Sequence, residues 1–227
     1  MFIGTGLPIT AQRFVGGVVA PAAFDFSLAG GMTYTDLAET TPAVLDDAVA
    51  SVTDGTYSLQ QVNPLNRPVQ KVQGVQFDNA SPGYLALSDA TYLAQVNSGT
   101  SRTKWRGTVQ DLDNDYLWGL AQTDGGLNQS SVGVQVLTTG KVRANYEQTP
   151  TITSVATIGT SVEFTVEMEI TDIDYALFLN GTEIGRQAYV GPRFTAQDLL
   201  HVGANSRTGA PGSPSNSTPY EFSIYRP

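Results

Sequence analysis

The 227-residue chain contains no cysteine, so neither a disulfide framework nor a thiolate metal site can hold it together, and its fold must rest on packing. Positive charge is scarce as well. Twelve Lys and Arg stand against 21 Asp and Glu, for a net charge of −9. Neutralising phosphates takes clustered bases, and this scatter excludes nucleic acid as an expected partner. The one histidine, His201, sits among apolar residues in LLHVGAN with no sequence partner. It is expected to be a satisfied strand residue rather than the general base of a serine or cysteine hydrolase. Long hydrophobic runs are missing too. The opening MFIGTGLPITAQRFVGGVVAPAAF is interrupted by Pro8, Arg13 and paired glycines, short of the ~18 residues a span requires, and it lacks a basic start. Neither a signal peptide nor membrane insertion is expected.

What the chain does have is 41% hydrophobic residues, only 15% charged ones, 23 Gly and 12 Pro. That composition suits many short strands and tight turns better than helices. Residues 1–31 mix Gly, Pro and small apolar side chains without a period, which reads as an extended arm. In TTPAVLDDAVASV, Thr41 could cap a helix and Pro42 could stand at its first position, with Val44, Leu45, Ala48 and Val49 on one face. A short helix is predicted over 42–52. TYSLQQV then reads as a strand, and NPLNRP as a stiff connector. The expected division is therefore an N-terminal arm and docking segment, 1–73, and a globular domain, 74–227.

From Val75 onward the pattern becomes strand, turn, strand. Phe164, Val166, Met168 and Ile170 alternate with Glu163, Thr165, Glu167 and Glu169, so one face is core and the other wet. The strand from Tyr175 to Leu179 ends in Asn180-Gly181, the pair that best tolerates a two-residue type I′ reversal. Further strands are predicted in VQFD and YLAL within 75–87, and in TKWRGTVQ, YLWGLAQT, VGVQVLT, KVRANYE, LLHVGAN and YEFSIYR. Turn signals every ~8–12 residues are those of a sandwich.

Three segments, GVQFDNASPGYLAL (74–87), DYALFLNGTEIGRQA (174–188) and LLHVGANSRTG with YEFSIYRP (199–227), resemble in order the laminin-G-like or concanavalin A-like jelly roll. The resemblance implies an all-β sandwich over 74–227, carrying a small extended N-terminal arm and the short helix. The first third is similar, in style only, to the start of a bacteriophage virion structural protein.

Candidate site residues are few. Asp111, Asp113 and Asp115 alternate in DLDNDY, but Tyr116 and Gln122 stand where a calcium loop needs glycine and a final acid, so this is no EF-hand. The laminin-G resemblance nevertheless implies that these three could hold Ca²⁺ at a sheet rim; no other cofactor is expected. Trp105, Tyr116 and Trp118, with Tyr84 and Tyr92, are aromatics that could stack on sugar rings or simply pack. The loop RTGAPGSPSNSTP (207–219) is expected to protrude, offering Arg207 and Asn216 as contacts. Glu167 and Glu169 have a spacing permissive for glycoside hydrolysis. The jelly-roll glycosidase pattern E-x-D-x-E is nevertheless broken, because Thr165 or Thr171 occupies the place of an acid.

The expectation drawn from these residues is a non-catalytic virion structural protein, a capsid decoration, head spike, fibre or tail component made in the host cytoplasm. Residues 1–40 would dock on other virion proteins in a homo-oligomer. The alternative is a carbohydrate-binding module, facing a host-surface glycan if it sits on that virion; a glycoside hydrolase is the third reading.

Overall fold

A computed structural model describes residues 22–227, apart from 29, 31, 80–82, 123–131, 147–148 and 207–210. Short strands come first: β1 (Ala22–Asp25), β2 (Thr33–Tyr34), β3 (Ser51–Thr53), β4 (Ser58–Gln60), β5 (Val69–Gln70), β6 (Val75–Gln76) and β7 (Leu85–Leu87). Helix α1 (Ala90–Asn97) follows, then the longer β8 (Ser101–Val109), β9 (Asp115–Ala121), β10 (Val132–Val136), β11 (Lys141–Tyr146) and β12 (Ile152–Thr157). The chain ends with β13 (Phe164–Ile170), β14 (Asp174–Leu179), β15 (Thr182–Ala188), β16 (Leu199–Val202) and β17 (Ser217–Tyr225).

Two antiparallel sheets face each other. One has six strands in the order β1-β17-β8-β13-β14-β15; the other has nine, β12-β11-β10-β9-β16-β7-β4-β3-β2; β5 and β6 pair separately. Inward side chains of both sheets form one core. Trp105 of β8 lies 5.0 Å from the Phe164 ring, and Trp118 of β9 reaches across to Phe222 of β17 at 6.4 Å. The hairpin predicted at Asn180-Gly181 is present, with φ of 50° and 78° at the two positions. No helix among the described residues is long and apolar enough to cross a membrane.

Two sequence expectations are corrected. Residues 42–52 are not helical: Pro42 bridges Tyr34, Ala48 bridges Val69, and Ser51 begins β3. Long-range partners win over local propensity there. The amides of Ala43, Asp46, Val49 and Ala50 go to the carbonyls of Thr33, Gln70, Pro68 and Tyr34, while the Asp47 carboxylate takes the Val44 amide in a turn. The helix that does form is α1, where the Asp89 side chain caps the Tyr92 amide and Tyr92, Leu93 and Val96 are buried. The second correction concerns residues 22–73, which were expected to belong to an arm and docking segment set apart from the globular domain. Strand β1 pairs with β17 along Ala22–Asp25, β2 to β4 extend the nine-stranded sheet, and Phe24, Phe26, Val49, Val52 and Leu59 lie in the common core. Among the described residues no seam in the packing falls at 73–74.

Candidate functional site

Alternation along β8, β13 and β17 sends one set of side chains to the core and the other to the outer face of the six-stranded sheet. Register fixes the outer set in rows. The first runs Asp25, Glu221, Arg106, Thr165; the second Ala23, Ser223, Lys104, Glu167, Phe178, Glu183; the third Tyr225, Arg102, Glu169, Ala176, Arg186. Ion pairs knit the rows together. Arg102 contacts Glu169 at 2.7 Å and Glu167 at 3.5 Å, and Lys104 contacts Glu221 at 2.9 Å. Arg186 reaches Glu169, Asp174 and Glu183 at 2.9, 3.0 and 2.9 Å. Partial burial alone would raise the Glu169 and Glu221 carboxyls, but the cations beside them outweigh it and hold both below the usual range. Arg102 also lies 4.3 Å over the Phe178 ring.

At the β1 end of this face the surface opens into a cleft of ≈ 470 Å³. Its floor and walls come from Asp25, Ser27, Val72, Gln73, Arg106, Glu163, Tyr220 and Glu221. Tyr220 is half-buried, with the Arg106 guanidinium over its ring, 5.6 Å from the centre. That guanidinium bonds Glu163 at 2.9 Å through Nη1 and Glu221 at 3.2 Å through Nε, which, led by Glu163, raises its pKa further. Asp25 accepts from the Ser27 amide and hydroxyl at 2.9 and 2.8 Å.

The Val72–Gln73 wall is fixed from behind. Buried Gln70 donates its side-chain amide to the carbonyls of Phe26, Lys71 and Gly74. Gly74 must be glycine, since a Cβ there would collide with the Pro219 carbonyl. The cleft thus depends on residues 22–28 and 70–74 as much as on the long strands. An apolar ring face beside fixed acceptors and a charged donor is an arrangement suited to a polyhydroxylated ring.

The residues singled out from sequence are placed otherwise. Trp105 and Trp118 have no exposure and face the core, so neither offers a surface to a ligand; Tyr92 is buried likewise. Tyr116 lies on the outer side of the nine-stranded sheet, its hydroxyl accepting from Asn145 at 3.1 Å. Tyr84 packs edge-on against His201 at 5.0 Å. Arg207 lies outside the described residues. The rest of the 207–219 loop, where described, is tied down rather than protruding: Asn205 bridges Gly212, the Ser215 amide reaches the Gly203 carbonyl, and 217–219 belong to β17.

Asp111, Asp115 and Asn216 are brought together, while Asp113 is exposed on a turn where Asn114 takes a φ of 57°. The Asp111 Oδ2 accepts from Asn216 Nδ2 at 3.0 Å and Asn79 Nδ2 at 3.4 Å, and Asp115 accepts from the Asn216 amide at 2.9 Å. Burial, reinforced by the neighbouring Asp111 and Asp113, pushes the Asp115 carboxyl up to about 6. The two amide groups turn donors, not oxygens, toward Asp111. Among the described residues no three His, Cys, Asp or Glu side chains form a group able to hold a metal, so the expected three-aspartate Ca²⁺ set is not assembled. Glu167 accepts from the Tyr225 hydroxyl at 3.0 Å. His201 Nδ1 shares a 2.7 Å hydrogen bond with Ser206 Oγ, both groups being buried, and burial lowers its pKa to about 4.

No family model and no curated protein matches the chain. Solved structures do match in shape. The NanB sialidase of Streptococcus pneumoniae has a TM-score of 0.51 at 15% identity, over 61% of this chain and 24% of that one. The Trypanosoma rangeli sialidase gives 0.60 at 13%, over 93% and 31%, and the CBM40 of the Ruminococcus gnavus IT-sialidase, bound to α2,3-sialyllactose, gives 0.50 at 19%, over 61% and 80%. The chain spans only about a quarter to a third of the two sialidases it matches. At these identities the likeness speaks for shape: this chain has the concanavalin A-like, laminin-G-like jelly-roll sandwich that its three sequence segments resemble.

Proposed function

We propose that this chain is a non-catalytic carbohydrate-binding module whose ligand lies in the ≈ 470 Å³ cleft against Tyr220. The observation that carries the reading is the half-buried Tyr220 lining the cleft with Arg106, Asp25, Glu163 and Glu221 on an otherwise ion-paired sheet face. Sugar rings present a C–H face that packs on an aromatic and a rim of hydroxyls that both donate and accept. Matching folds include a CBM40 solved with sialyllactose, which supports the class of ligand. The non-catalytic half of the reading draws on the state of the carboxyls. Glycoside hydrolysis requires an acid held protonated near neutrality, and the pair whose spacing permits it does not supply one: Glu169 is held low by Arg102 and Arg186 and Glu167 is engaged by Arg102 and Tyr225.

A place on a virion, docked through residues 1–40, draws no support from this geometry. The described residues of that stretch pair with β17 and bury Phe24 and Phe26 in the chain's own core.

A glycan array probed with the chain and with Tyr220→Ala tests the proposal. Saturable binding that falls roughly tenfold in the variant, about the worth of one aromatic contact, is the expected result. The variant should keep its melting temperature. Binding by neither protein at millimolar glycan, or equal binding by both, would refute it.

A further inference from the structure

We infer that the cleft selects sugars without an acidic group; the inference rests on the carbohydrate-binding reading and names its ligand class. Among the described residues Arg106 is the only cation lining the cleft, against three carboxylates, Asp25, Glu163 and Glu221. Its guanidinium is already engaged by two of them, at 2.9 and 3.2 Å. Asp25 stands directly across the strand pair from Glu221, like charge against like, and takes its hydrogen bonds from Ser27. Two further cations of the neighbourhood are engaged as well, Lys104 by Glu221 at 2.9 Å and Lys71, next to Val72, by Asp46 at 2.6 Å.

A sugar carboxylate entering here must displace Glu163 or Glu221 from Arg106 and add a fourth negative charge to the group. The net charge of −9 over the whole chain opposes it at longer range. A neutral sugar meets the opposite situation. Its hydroxyls donate to carboxylate oxygens fixed in place by Arg106 and Ser27, accept from the guanidinium edge, and its apolar face covers Tyr220. Charge-assisted bonds of this kind are the stronger polar contacts, and none requires an existing ion pair to break.

The test is a set of matched glycans, each neutral oligosaccharide beside its sialylated counterpart, lactose and α2,3-sialyllactose among them, titrated at 20 and 300 mM salt. The neutral member of a recognised pair should bind at least about fivefold more tightly at low salt, and the gap should narrow at high salt as the repulsion is screened. Asp25→Asn combined with Glu163→Gln should raise binding of the acidic member while leaving the chain folded. An acidic glycan that binds more tightly than its neutral partner, with loss in Tyr220→Ala, overturns the selectivity and leaves the carbohydrate reading standing. Absence of binding to either member across the set overturns both.

Discussion

The two faces of the six-stranded sheet are built from neighbouring residues and do opposite things. On β8, Trp105 is fully buried while Lys104 and Arg106 on either side of it hold ion pairs in the open. The inner face is largely apolar, with Ser101 and Thr103 of β8 buried among the hydrophobic side chains, and its contribution is packing. The outer face is a mesh in which four cations, Arg102, Lys104, Arg106 and Arg186, are shared among six carboxylates: Glu163, Glu167, Glu169, Asp174, Glu183 and Glu221. Supplying cations decides how a carboxyl behaves. Glu169, beside two arginines, is held low, whereas Asp115, on β9 of the other sheet and with no cation paired to it among the described residues, is pushed up to about 6. Stability therefore resides mainly on one side of the sheet and the proposed recognition on the other, and substitutions can separate them.

The largest effects belong to the inner face. Trp105→Ala should cost about 3–5 kcal/mol in urea unfolding, the range for truncating a buried large aromatic. Phe24→Ala should cost a comparable ~3–5 kcal/mol if β1 is integral to the core. A loss under about 1 kcal/mol at Phe24 would return residues 22–28 to the status of an appended arm.

An intermediate effect is expected at Asp115. Because burial raises its pKa, the folded chain keeps that proton where the unfolded chain has released it. The resulting stabilisation is full below the ordinary carboxylate range and is lost as pH rises through about 6. Asp115→Asn keeps an acceptor for the Asn216 amide without the charge, so its melting temperature should exceed that of the parent by roughly 2–4 °C at pH 7.5 and match it at pH 4, as read by scanning calorimetry. An equal shift at both pH values would remove ionisation as the cause.

The smallest effect is on the outer mesh. Arg186→Ala, despite three carboxylate partners, should cost no more than about 1 kcal/mol, because the guanidinium is partly exposed and screened.

Much of this comparison was legible in the sequence. Period-2 alternation in FTVEMEI and the Asn180-Gly181 turn marked a two-faced sheet before any coordinates, and the three jelly-roll segments fall on strands of the two sheets. Of residues 22–73 the strand in TYSLQQV was legible, as β4, but the rest was not, because β2, β3 and β5 are two or three residues long and the hydrogen bonds around them run to distant carbonyls. A run such as TTPAVLDDAVASV satisfies helical rules locally and loses to those partners.

The site was misjudged for a related reason: Trp105 and Trp118 were selected by residue type, although strict alternation in RTKWR puts Trp105 on the side opposite Arg106. Tyr220 was hidden by an irregularity in the β17 register between Pro219 and Glu221, which no sequence period reveals. The other half of the cleft comes from residues 22–28 and 70–74, which only folding brings beside β17.

The central claim is that the cleft beside Tyr220 holds a sugar. Two-dimensional ¹H–¹⁵N NMR of the chain, titrated with a glycan it binds, tests this most directly. The account predicts saturable shifts concentrated at Ala23–Ser27, Val72–Gln73, Arg106, Glu163 and Tyr220–Glu221. Shifts centred instead on the outer side of the nine-stranded sheet, around Tyr116 and Asn145, would contradict it.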